Sequence, residues 1–240
     1  MIKKDSIPRG GMRPQIMLAL KMISIALVCS TARAAIDVNV QRIAPYLMPS
    51  RRQEIALARS AAPPSISMHA TVMALSPHGY VTVVKGSNGF VCLVVRSWDN
   101  AASVRRSVFW NPRFRAPFCY NAPAALSVLP WYLTRTLWVV AGARKSQIAA
   151  REAAAAAHGR LKTPLPGALC YMMSRRGRGI GGKPGPWRPH LMFYFPRGRA
   201  PSWGENLPGV PVFSNSHDNV TIVYVLVPEW SDGLPSPRYK

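Results

Sequence analysis

The chain has 240 residues, and 31 Lys and Arg against nine Asp and Glu give a formal charge of +22 at neutral pH. A hydrophobic content of 48% excludes general disorder, while 17 Gly and 23 Pro argue against a plain helical bundle and for a loop-rich mixed fold. Only 17% of residues are charged, so the imbalance reflects missing acids as much as added bases, and few salt bridges can form.

Residues 1–34 have the pattern of an export signal. Lys3, Lys4, Arg9 and Arg13 precede an apolar stretch from Ile16 to Val28, interrupted by Lys21, whose cleanest run is Met22 to Cys29. Eight residues are too few to span a bilayer. Thr31-Ala32-Arg33-Ala34 then supplies an Ala-x-Ala exit, which places cleavage near Ala34; either Met1 or Met12 serves as the start. An uncleaved anchor and a lipidated Cys29 are the weaker readings, since Val28 stands where lipidation needs a small residue. Residues 35–240 are expected to be one exported domain, secreted or periplasmic, that keeps 25 bases against eight acids, a net +17.

In that domain Ser50-Arg51-Arg52-Gln53 has the form of a capping box and opens a helix that Pro63-Pro64 stops. From Ile66 to Leu75 apolar and polar side chains alternate, which predicts a half-buried strand. Tyr80 to Lys85 and Phe90 to Val95 read as two more, with Gly86-Ser87-Asn88-Gly89 as a tight hairpin between them, so a three-stranded meander is expected. Residues 97–121 read as a long irregular crossing rich in aromatic and basic side chains. Helical composition returns from Ala124 to Val140, broken at Pro130, and from Ser146 to His158, ended by Gly159. Leu169 to Met173, His190 to Phe195 and Val220 to Val227 are short apolar strands, the last apolar on both faces and hence central. The expected class is α+β, a single domain with an antiparallel sheet of about six strands and two to four helices.

Three cysteines follow the signal. Cys92 lies in a strand-like run and Cys119 ends the crossing after it, so these two are the better disulfide pair; a bridge there stabilises by about 3–4 kcal/mol through loop entropy. Cys170 lies in an apolar run and reads as a small buried hydrophobe. No cysteine spacing suits a zinc or redox motif.

Gly86 to Leu93, Phe118-Cys119-Tyr120-Asn121, Pro166 to Ser174 and Pro189-His190-Leu191-Met192 together resemble the spaced signatures of a family of secreted bacterial proteins without an established activity. The resemblance spans roughly residues 50–230 and implies export, one domain and recurrence of the cysteines at Cys92 and Cys119. It carries no catalytic roles. Cys170 and the basic loop after Ser174 depart from the pattern.

Among chemical constellations, His69, His190 and His217 would suit zinc or copper if neighbouring strands brought them together, but their separations carry no spacing signal. Ser174 with His190 as base is the candidate nucleophilic pair, without a Gly-x-Ser-x-Gly elbow. Gly177, Gly179 and Gly182 match Gly-x-Gly-x-x-Gly, yet Pro184 and Pro186 block the helix a dinucleotide site needs. What the loop does carry is Arg175, Arg176, Arg178, Lys183, Trp187 and Arg188, a set suited to phosphate or carboxylate. The function expected is therefore non-enzymatic binding of anionic envelope or extracellular polymers, or an anionic membrane surface, without base-specific nucleic-acid readout and with no cofactor. A metal-assisted or serine-dependent hydrolase is the alternative.

Overall fold

A computed structural model describes residues 42–99, 108–179, 187–217 and 219–236. The signal segment, Arg105, Arg106 and Lys183 lie outside the described residues. The fold is α+β in one domain, with five helices and an eight-stranded mixed sheet among the described residues, ordered β2-β1-β3-β4-β5-β6-β8-β7.

Helix α1 (Arg51–Arg59) is opened by Ser50, whose Oγ accepts from Gln53 N (3.2 Å). The Pro63-Pro64 pair both ends that segment and starts a second helix, α2 (Pro64–Ser67), because proline's fixed φ suits the first helical position. Strand β1 is consequently shorter than the expected Ile66–Leu75 and runs Thr71–Ser76. A tight turn closed by Ser76 and Gly79 leads into β2 (Gly79–Val84).

The expected meander does not form. Strand β3 (Val91–Val95) pairs parallel with β1, on the side away from β2, through Thr71↔Val91 and Val72↔Cys92. Instead of closing on themselves, the polar groups of Gly86 to Asn88 bond the chain just before and within β1. Gly86 N donates to Thr71 Oγ1, Ser87 N to His69 O and Asn88 Nδ2 to Ile66 O. A Cβ on Gly86 would lie 2.1 Å from Thr71 N, so only glycine lets the crossing pass this close.

Within the predicted irregular crossing lies β4 (Ala116–Tyr120), antiparallel to β3, with Cys92 and Cys119 directly opposite and joined as a disulfide. Three helices follow: α3 (Ala122–Ser127), α4 (Leu129–Val140), with Pro130 in its first turn, and α5 (Lys145–Ala157). They lie between β4 and β5, and with α1 and α2 make five helices among the described residues where two to four were expected. Strands β5 (Leu169–Met172), β6 (His190–Pro196), β7 (Val212–His217) and β8 (Val220–Leu226) complete the sheet, all antiparallel to their neighbours. The sheet thus has eight strands instead of six, one pair of them parallel.

Helices cover both faces. Helix α1 packs Leu57 and Ala58 over β1, β3 and β4, burying Val72, Val94 and the disulfide. On the opposite face, Leu93, Phe118, Tyr120, Cys170, Met172, Met192 and Tyr194 meet residues of α3 and α4. Cys170 and the bridge therefore occupy opposite faces of adjacent strands, because neighbours in the ladder, Cys119↔Tyr171 and Tyr120↔Cys170, alternate with the pleat. Trp98 and Phe109 fill a third cluster with Ile43, Tyr46, Val139 and Ile148.

Candidate functional site

Helical spacing places Gln53, Ala56, Leu57 and Ser60 along one flank of α1, and the turn that leaves β5 through Arg175 and Arg176 lies against it. Two open clefts share those two arginines. One, of about 470 Å³, is lined also by Met48, Gln53, Leu57 and Arg178. The other, of about 240 Å³, is bordered by Arg59, Ser60, Ser174, Ser231 and Asp232 among others.

The turn's backbone is tied down from three sides. Met173 N donates to Ala61 O (2.9 Å) and Ser231 N to Met173 O (3.0 Å). Arg176 N donates to Ser174 Oγ (3.1 Å), which also bonds Ser60 Oγ (2.7 Å). Arg178 exchanges two backbone hydrogen bonds of 2.8 Å with Arg115, just ahead of β4. Long cationic side chains thus project from a fixed base, and Arg175, Arg176 and Arg178 are all exposed.

Arg175 and Arg176 are little neutralised. Arg175 Nε donates to Asp232 Oδ2 (2.6 Å), which holds that carboxyl below the ordinary aspartate range, but both side chains are largely in solvent and the pair is screened. Among the described residues nothing pairs with the Arg176 guanidinium. Arg59 reaches Met68 O at 3.5 Å and keeps its Nε buried without a partner beside the smaller cleft.

Trp187 is not an exposed stacking platform. Its ring packs toward Phe114 (6.4 Å between centroids) and over Gly177, where a Cβ would come within 2.4 Å of it, so the two limbs of the loop are pinned together. That gives Gly177 of the glycine motif a packing role. Arg188 is half-buried and borders neither cleft.

The other candidate residues are not assembled into a site. His190 opens β6 opposite Leu226 at one end of β8, and His217 ends β7 opposite Val220 at the other, so six residue steps, about 20 Å, separate them. His69 precedes β1, four strand spacings or about 19 Å across the sheet from β6. No cluster of three His, Cys, Asp or Glu suited to a metal occurs among the described residues. Nor do Ser174 and His190 form a nucleophile–base pair: the Ser174 hydroxyl bonds Ser60 and Arg176, and the Nδ1–H of His190 donates to Arg188 O (2.6 Å). Burial holds His190 below the ordinary histidine value, opposed by that carbonyl.

Sequence reasoning missed a buried ionic network. Glu54 on α1 pairs with Arg96 (2.8 Å) and accepts from Leu75 N (3.0 Å). Arg96 also donates to Tyr46 O and Val94 O. Asp99 accepts from Thr136 Oγ1 (2.7 Å), Tyr80 OH (3.1 Å) and Arg96 N (3.3 Å). Arg135 bonds Asp99 O (2.6 Å) and pairs with Glu152 on α5. All five charged side chains are buried. The signal was present in the helical spacing, since Glu54 stands on the same stripe as Leu57, Ala58 and Ala61, and a residue there must face the sheet.

No family model matches the chain, and no curated protein or solved structure matches it either. Gly86 to Leu93, Phe118 to Asn121, Pro166 to Ser174 and Pro189 to Met192 fall on β3, β4, β5 and β6 and their approaches, four consecutive strands at the centre of the sheet. Among the described residues no helix is long and apolar enough to cross a membrane.

Proposed function

We propose that this chain is an exported, non-enzymatic domain that binds anionic polymers or surfaces of the cell envelope or its surroundings through the Arg175, Arg176 and Arg178 face. The observation that carries the reading is where the acids go. Three of the eight acids in residues 35–240 are buried in the core: Glu54 and Glu152 pair with Arg96 and Arg135, and the Asp99 carboxylate accepts from Thr136, Tyr80 and the Arg96 N–H. The rest of that segment then holds 23 bases against five acids, a net +18, and the arginines of the α1 clefts face solvent with Asp232 as the acid among their lining residues. Guanidinium forks are suited to phosphate, sulfate and carboxylate oxygens, and such contact releases counterions.

The experiment is retention on a phosphocellulose matrix as salt is raised. The intact protein is expected to elute late and with steep salt dependence. Arg175→Glu with Arg176→Glu, both exposed and away from the core, is expected to elute markedly earlier at unchanged melting temperature. Equal retention of variant and parent would refute the reading.

A further inference from the structure

A second basic cleft, of about 560 Å³, is lined by Arg42, Trp110, Arg144, Lys145, Ser146 and Ala149. Arg42 lies over the Trp110 ring, 4.4 Å from its centroid, and donates to Gly142 O (3.0 Å), which presents the guanidinium at the cleft wall. Arg144 and Lys145 stand at the start of α5, where cations oppose the helix dipole and no acid occupies the first turn.

The two basic clefts take wall residues from one segment of chain. Arg42 lines this one and Met48 lines the larger Arg175–Arg176 cleft, six residues apart on one short segment, so their walls approach to within about 20 Å even if that segment were fully extended. Arg115 adds a further base nearby: its backbone is laddered to Arg178, and the positive fields of both Arg115 and Arg42 act on Tyr46.

We infer that the cleft of Arg42, Trp110, Arg144 and Lys145 continues the Arg175–Arg178 face as one basic track, and that the track holds a linear, flexible phosphate-bearing polymer. The inference rests on the anion-binding reading above and narrows it. The discriminating feature is shape: cations that line two recesses on either side of a turn are reached by a thin chain that follows the surface, whereas a flat bilayer touches only the rims.

The test measures binding of two probes, tripolyphosphate, a short anion for a single cleft, and long-chain inorganic polyphosphate, which can reach across both. The parent protein is expected to bind the long chain about 100-fold more tightly, as two linked contacts require. Arg144→Glu with Lys145→Glu is expected to collapse that ratio to a few-fold. Acids suit the first turn of α5, so the melting temperature of this variant stays level or rises, and lost folding is not an explanation. If the ratio survives in this variant but falls in Arg175→Glu/Arg176→Glu, the track is overturned while the first site stands. If neither pair changes long-chain binding, both readings fall. Stronger binding to phosphatidylglycerol vesicles than to long-chain polyphosphate overturns the polymer assignment.

Discussion

At the scale of single residues, one buried acid, Asp99, couples stability to pH. Asp99 lies within the core among Tyr80, Arg96, Arg135 and Thr136, and burial raises its carboxyl to about 6 despite the hydrogen bonds that lower it. The ordinary value is 3.8. The folded state thus binds this proton more tightly than the unfolded chain does. Its stabilising contribution is complete below about pH 4 and is lost as pH rises through about 6, a difference on the order of 3 kcal/mol. His190 works the other way, because a buried histidine held neutral loses stability as the pH falls below its ordinary value. Comparison with Asp99→Asn isolates the first effect. Denaturant unfolding at pH 4.5 and 7 is expected to show the parent gaining stability relative to the variant at the lower pH; parallel pH profiles would contradict the assignment. Removing a single partner of the network, as in Arg96→Met, leaves Glu54 uncompensated and belongs to the class of changes that cost about 3–5 kcal/mol.

At the scale of elements, the disulfide is the clearest case in which local pattern and structure agree. Cys92 and Cys119 stand opposite each other in the β3–β4 ladder, and the loop they close has a sequence separation of 27. Replacing both by Ser is expected to lower stability by about 3–4 kcal/mol on the loop-entropy model, measured by denaturant unfolding; a change below about 1 kcal/mol would show that the unfolded chain is already compact there. Helix α1, the break at Pro130 and strands β5, β6 and β8 were legible because capping, proline placement and apolar runs act locally. Strand β4 was not, since Pro117 lacks an N–H and a proline in an interior strand argues against pairing. Strand β7, with Ser214, Asn215 and Ser216 in its middle, borders solvent at the sheet's edge and owes its form to β8 rather than to its own composition. The parallel β1–β3 pair was hidden for a different reason: Gly86 to Gly89 has the chemistry of a hairpin, and only contact with the chain around His69 to Thr71 turns it into a crossing. Of the site, the arginines were visible in the loop's composition, while the clefts depend on α1 and on Met48, over a hundred residues away in sequence.

At the scale of the whole molecule, the fold sorts charge by sign. Carboxylates are drawn into the core to satisfy two buried guanidiniums, and the remaining cations repel one another across the surface. Salt should then act on stability and on binding in opposite senses. Screening of surface repulsion is expected to raise the melting temperature as ionic strength increases, while the same salt weakens retention on an anionic matrix. A melting temperature that falls with added salt would mean that surface attraction outweighs repulsion. Arg105, Arg106 and Lys183 add further bases in sequence.

The bridge between β3 and β4 has one more consequence. The same two cysteines enclose every residue from 93 to 118, most of the aromatic and basic crossing. A protease that cuts anywhere in that span leaves two polypeptides fastened to each other by a covalent link and by a ladder of paired backbone. In an environment rich in proteases, nicking there is a wound without separation: the severed halves of the sheet stay in register for as long as the sulfurs remain oxidised.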